Sequence, residues 1–125
     1  MAKLSSLTKP MSNAAFRAWR KRLALTQSEA AALLGLKSRM IQHYETGSHE
    51  VPRATRLACW ALELGILDFD GMQPIGGEEP VVIQLIMAQG DTRKLEKKRR
   101  KLAERMLTLS EEAASPWAES GFGQA

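Results

Sequence analysis

TQSEAAALLGLKSRMIQHYETG, residues 26–47, reads as two short helices around a tight turn. Thr26 followed three residues later by Glu29 is a capping box, in which each side chain satisfies the other residue's backbone N–H, so a helix starts there. Ala30, Ala31 and Ala32 propagate it and are small enough for a neighbouring helix to approach closely. Gly35 stops it after Leu34, and the next helix begins at Lys37 or Ser38 and runs to Thr46. At 100° per residue, Met40, Ile41 and Tyr44 share one face of this second helix and turn inward. Arg39, Gln42 and Thr46 point the opposite way, with Ser38 and His43 on the shoulders. Such a pair is a helix-turn-helix, whose second helix fits a DNA major groove.

On the N-terminal side, Phe16, Trp19 and Leu23 recur at helical spacing, so a helix is expected from Ser12 or Asn13 to Leu23. Residues 1–11, with Ser, Thr, Pro and two lysines, read as a flexible arm. On the C-terminal side, Pro52 opens a fourth helix to Leu64, with Leu57, Ala61 and Leu64 as its inner stripe and Gly65 and Ile66 after it. Trp19, Tyr44 and Trp60 are expected in the core, as is Cys59. Residues 67–79 hold three glycines, one proline and four acids and read as a linker. In residues 81–89, Val81, Val82 and Ile83 favour a strand, while Pro80 before and Gly90 after favour a helix. Asp91 caps a further helix from Thr92 to about Ala113, on which Leu95, Leu102, Met106 and Leu109 form a short coiled-coil-like seam around the run KKRRK, Lys97–Lys101. The tail, 114–125, is expected to be disordered. The fold class is therefore all-α: a compact four-helix helix-turn-helix domain over 12–66, a linker over 67–79 and a helical dimerisation element over 80–113.

Charge is divided unevenly. Residues 1–65 carry ten Lys/Arg against four Glu, whereas residues 66–125 carry eight Lys/Arg against ten Asp/Glu. The basic surplus thus sits with the helix-turn-helix, where phosphate contacts would need it. Cys59 is the one cysteine, which precludes an intrachain disulfide. The longest apolar run, Val81–Ala88, is too short to cross a membrane, and MAKLSSLTKP lacks a signal peptide's apolar core, so a cytoplasmic location is expected. His43, His49 and Cys59 have no metal-ligand spacing, and no nucleophile–base set or phosphate-cradling glycine loop is present. Neither an enzyme, a metal nor a cofactor is expected.

Residues 16–65 resemble the lambda-repressor-like (Cro/CI-type, XRE family) helix-turn-helix domain. The likeness is carried by FRAWR, LTQSEAA, LLGLKSRMIQHYETG and the proline-led helix that follows. It implies that Gln27 binds a DNA phosphate, that bases are read from Lys37, Ser38, Arg39, Gln42 and His43, and that Arg20 pairs with Glu45. Three departures stand out. Ala24 replaces the usual glycine, which strains that turn; the loop from Gly47 to Pro52 is about one residue longer; and Lys37 replaces a small residue, shifting the expected cap to Ser38.

The chemistry of the outward face fits this role. Arg39 can bond O6 and N7 of guanine together, and Gln42 can do the same for N6 and N7 of adenine. Ser38 and His43 add shorter or single contacts. Lys21, Arg22, Lys37 and Arg53 are the phosphate candidates, with Gln27. These readings lead to a sequence-specific transcriptional regulator, a repressor, that binds palindromic double-stranded DNA as a homodimer. The alternative is an antitoxin-type module that grips a protein partner through residues 80–113 and autoregulates through the helix-turn-helix.

Overall fold

The computed structural model describes residues 4–120, with side chains over 4 and 6–107. After a short 3-10 turn, Leu4–Ser6, come α1 (Asn13–Arg22), α2 (Gln27–Leu34), α3 (Ser38–Thr46) and α4 (Arg53–Glu63). The hairpin β1 (Ile66–Phe69) and β2 (Pro74–Gly76) follows, then α5 (Val81–Gln89) and α6 (Thr92–Ser120). The expected arm is not wholly free, because Met11 packs on the core.

The first three helices match their expected bounds closely, because each boundary is set by a local device. The Ser12 hydroxyl accepts from Ala15 N at 3.0 Å to open α1. The Thr26–Glu29 capping box opens α2, and Gly35, at φ 69°, closes it in the left-handed region that only glycine enters without strain. At α3 the expected cap on Ser38 is corrected: Lys37 occupies the cap position and supplies no side-chain hydrogen bond, while Ser38 is already helical. Phe16, Trp19, Ile41 and Tyr44 are buried together, with Phe16 edge-on to Tyr44 at 5.3 Å between ring centroids.

α4 turns the opposite way from the expected stripe. Cys59 and Leu62 are buried, whereas Leu57, Trp60 and Leu64 are 55%, 59% and 52% exposed. The helix is apolar on both sides, so periodicity alone does not choose the inner one. The choice is tertiary: Trp19 Nε1 donates to Cys59 O at 3.0 Å, and the buried Val51 anchors the preceding loop.

The stretch read as a linker folds into an antiparallel hairpin, with Ile66 opposite Gly76 and Phe69 opposite Pro74. Its turn is built by Asp70, whose carboxylate accepts from Gln73 N and Met72 N, both at 2.8 Å. These N–H groups, Gln73's first, hold the carboxyl below its ordinary pKa. Gly76, at φ 98°, lies so close to its neighbours that a Cβ would come within 2.8 Å of Gly65 O and of Gln84 Oε1.

Beyond the hairpin, residues 81–89 are helical, and they are not a separate unit. Val81, Val82, Ile83 and Ile86 are buried in the same core as Phe16, Trp19 and Ile41. The expected boundary at residue 66 therefore divides one packing unit, in which α5 is the fifth helix. Gln84, the polar break in the apolar run, donates from Nε2 to Gly65 O at 2.8 Å and to Glu79 O at 2.6 Å. The hairpin brings α5 back against α2, a return that composition does not reveal.

α6 begins at the expected cap, with Asp91 Oδ1 accepting from Lys94 N at 3.1 Å. It extends to Ser120, past the expected end near Ala113, so the tail read as disordered from 114 begins inside this helix. Glu111, Glu112, Ala113 and Ala114 are strong helix formers and carry it on. Residues 121–125 of that tail lie outside the described residues. The seam leucines also differ from expectation: Leu95 and Leu102 are half-buried against the core of their own chain. Met106 is 70% exposed and Leu107 66%, while Leu109's side chain lies outside the described residues.

α6 is held by one buried carboxylate. Glu29 is 4% exposed. Its Oε1 accepts from Thr26 N at 2.8 Å and from Lys98 Nζ at 3.3 Å. Its Oε2 takes no well-aligned hydrogen bond among the described residues but has Lys94 Nζ 3.2 Å away. Lys98 also donates to Ala24 O at 2.5 Å, and Arg105 donates to Lys21 O and Arg22 O. Two cations thus cover the carbonyls ending α1, where the helix dipole favours positive charge. Burial pulls the Glu29 pKa upward, but the Thr26 N–H, Lys94 and Lys98 together outweigh it and hold the pKa below its ordinary value.

α5 buries Val81, Val82, Ile83 and Ile86 in the shared core. Burying four aliphatic side chains contributes about 6–12 kcal/mol, comparable with the whole stability of a small domain. A chain ending at Gly77 should therefore be largely unfolded by near-UV circular dichroism, and one ending at Gly90 folded but weakened; a cooperative, stable 1–77 fragment would refute the five-helix core. For Glu29, the folded pKa lies below the unfolded one, so its contribution is present above the ordinary carboxylate pKa and is lost as pH falls through the folded value. Glu29→Ala should cost about 3 kcal/mol at pH 7 by urea unfolding. That difference from wild type should shrink in acid below about pH 4.

Candidate nucleic-acid interface

The burial of Ile41 and Tyr44 turns the opposite side of α3 to solvent, and there Arg39, Gln42 and Thr46 are exposed, with Lys37 just before them. Ser38 and His43 are half-buried on the flanks. Ser38 Oγ lies 3.5 Å from Ser28 Oγ, which sets the first turn of α3 against the first turn of α2, next to half-buried Gln27.

The pairing of Arg20 with Glu45 is present and is bidentate: Nε to Oε2 at 2.7 Å and Nη2 to Oε1 at 2.9 Å. Arg20 Nη1 also donates to Leu25 O at 2.9 Å. One guanidinium therefore links α1, the α1–α2 turn and the end of α3. Asn13 Nδ2 adds a bond to Glu45 O at 3.2 Å, and Arg17 approaches Glu45 at 3.9 Å. Such a planar, doubly bonded and partly buried pair fixes orientation more tightly than a lysine would.

His43 is less free than its helical angle suggests. Its Nδ1 lies 3.2 Å from Ser48 Oγ, and its ring lies 4.5 Å from the ring of His49. Thr46 Oγ1 and Ser48 Oγ are 2.8 Å apart, so Thr46, Ser48 and His49 form a polar cluster continuous with the outward face. The sequence places neither Ser48 nor His49 at this face; the loop after Gly47 folds back on α3, and only the turn geometry reveals it. A groove of about 380 Å³ runs beside them, lined by Lys37, Arg39, His43 and His49.

The phosphate candidates separate. Gln27, Lys37 and Arg53 stand at the starts of α2, α3 and α4, and Lys21 is exposed near the end of α1. Arg22, whose side chain is 56% exposed, has its guanidinium against Glu63 on α4 at 2.5 Å. Cys59 takes no part: burial pushes its thiol up to about 12, so it stays protonated and unreactive.

Among the described residues no helix is long and apolar enough to cross a membrane. No curated protein and no solved structure matches the chain. Residues 16–67 do match the helix-turn-helix family, over a span that runs from Phe16 within α1 through α4 and includes the bidentate Arg20–Glu45 pair. They are thus a helix-turn-helix domain of the lambda-repressor-like, XRE type, a DNA-binding domain of transcription regulators.

Proposed function

We propose that the chain is a sequence-specific transcriptional repressor that reads a palindromic operator as a homodimer, with α3 in the major groove. The observation that carries this reading is the outward pair Arg39 and Gln42 on a helix whose other side is locked into the core. In this reading Arg39 and Gln42 read bases, Ser38 and His43 support them, and Gln27, Lys21, Lys37 and Arg53 hold phosphates. Each bidentate base contact contributes about 1–3 kcal/mol of discrimination.

A single helix reads only a few base pairs, so useful specificity needs two copies about 34 Å apart. Exposed Met106 and Leu107 support pairing through the distal half of α6. This is narrower than the 80–113 element expected from sequence, because Val81–Ile83, Ile86, Leu95 and Leu102 are occupied within their own subunit. The same occupation argues against a protein partner gripping that whole region.

Binding selection on random duplexes, followed by titration of the selected site, tests the reading. Arg39→Ala should weaken the selected site by about 1–3 kcal/mol and leave random DNA nearly unaffected. Equal losses on both would move Arg39 to the phosphate contacts, and absence of duplex binding at low salt would overturn the function. For assembly, light scattering at micromolar concentration should give a dimer that Met106→Glu together with Leu107→Glu converts to monomer; a wild-type monomer would remove the homodimer.

A further inference from the structure

The run Lys97–Lys101 is only partly used by the fold. Lys98 is engaged by Glu29 and Ala24 O, and Arg99 binds Glu79 at 3.3 Å. Lys97, Arg100 and Lys101 are exposed and enter no ion pair among the described residues. By helical angle Lys97 and Arg100 lie on the side of α6 away from Leu95 and Leu102, which pack on the core, and Lys101 lies on the flank shared with Lys94 and Lys98.

Their position is set by the clamp on Glu29. A cleft of about 640 Å³ separates α6 from the α1–α2 turn; it contains Lys21 and Lys101 as exposed cations, Glu104 as its acid, and Thr26, the cap of α2. A second groove of about 450 Å³ continues along α6 past Lys97 and Arg100. One residue beyond Thr26 stands Gln27, and Ser28 touches Ser38 at the start of α3. The basic ridge therefore begins beside the elements that carry the DNA-reading face.

We infer that Lys97, Arg100 and Lys101, together with Lys21, form a second backbone-binding ridge that holds duplex DNA phosphates flanking the stretch read by α3. The inference rests on the DNA-binding reading above. Lys97 and Lys101 stand about 6 Å apart along the helix axis, enough to address two successive phosphates of one strand. Duplex DNA is favoured over other polyanions because the ridge adjoins the recognition helix pair. The ridge carries charge but no base-reading geometry, so it adds affinity and salt dependence without changing sequence preference.

The experiment is a salt titration of duplex binding by the full chain, read by fluorescence anisotropy. Lys97→Ala with Lys101→Ala should reduce the log–log salt slope by about 2 per protomer, at about 0.9 per phosphate contact, and leave the ratio of selected to random DNA within about twofold. Arg99→Ala removes one charge from a residue held by Glu79 and should leave the slope unchanged. An unchanged slope in the double variant overturns the ridge. So does an Arg99→Ala slope loss equal to that of Lys101→Ala, or tighter binding to a structured RNA than to duplex DNA of equal length. If melting shows the double variant misfolded, Arg100→Gln is read by the same criteria. Wild-type protein with no duplex binding sinks the DNA-binding reading itself, a result distinct from loss of the ridge alone.

Discussion

The buried Glu29 carboxylate is the constraint on which the arrangement of this chain depends. Removed from water, it needs partners that its own helix supplies only in part. The capping box gives it the Thr26 N–H, and the remaining demand is met from about seventy residues away by Lys94 and Lys98. An isolated buried carboxylate costs several kcal/mol, so the first turns of α6 are drawn to this point. Lys98 then reaches Ala24 O and Arg105 reaches the carbonyls of Lys21 and Arg22, which seats α6 across the end of α1.

The same corner contains the one left-handed residue other than glycine among the described residues, Ala24 at φ 58°. That conformation costs an alanine about 1 kcal/mol relative to glycine. The turn is nevertheless held from both sides. Arg20 bonds Leu25 O within it, and Lys98 bonds Ala24 O from α6. Arg20 is also the partner of Glu45, so the geometry of this turn is coupled to the end of α3. α3 is thereby fixed by its apolar side, through Ile41 and Tyr44, and by a charged fork at its C-terminal end. Among the described residues the outward side chains of Arg39 and Gln42 enter no hydrogen bond or ion pair, which leaves them available for a ligand.

Much of the fold could be read from the residues because it is written in local devices. Ser12, the Thr26–Glu29 pair, Gly35 and Asp91 act within four residues of themselves, and each appears where expected. The inner face of α3 was legible because its apolar residues occupy one side only. The Arg20–Glu45 pair came from family likeness, not from spacing, since a contact between residues 25 apart leaves no periodic trace. α4 shows the converse. With Leu57, Trp60 and Leu64 on one side and Cys59 and Leu62 on the other, its pattern is symmetrical, and only the Trp19–Cys59 hydrogen bond and the neighbouring helices select the buried face.

The sequence by itself determined the capped two-helix unit, the outward set Arg39, Gln42 and Thr46, and the concentration of basic charge in the first half. Tertiary structure alone decided that residues 67–79 turn back as a hairpin, that α5 completes the core, that Leu95 and Leu102 pack within their own chain, and that Arg22 pairs with Glu63. It also decided that Ser48 and His49 adjoin the outward face of α3. The physical reason is range. Capping, turn formation and amphipathic periodicity act within a few residues, whereas the burial of α5 and the clamp on Glu29 depend on which distant surfaces are left unsatisfied once the first four helices have packed.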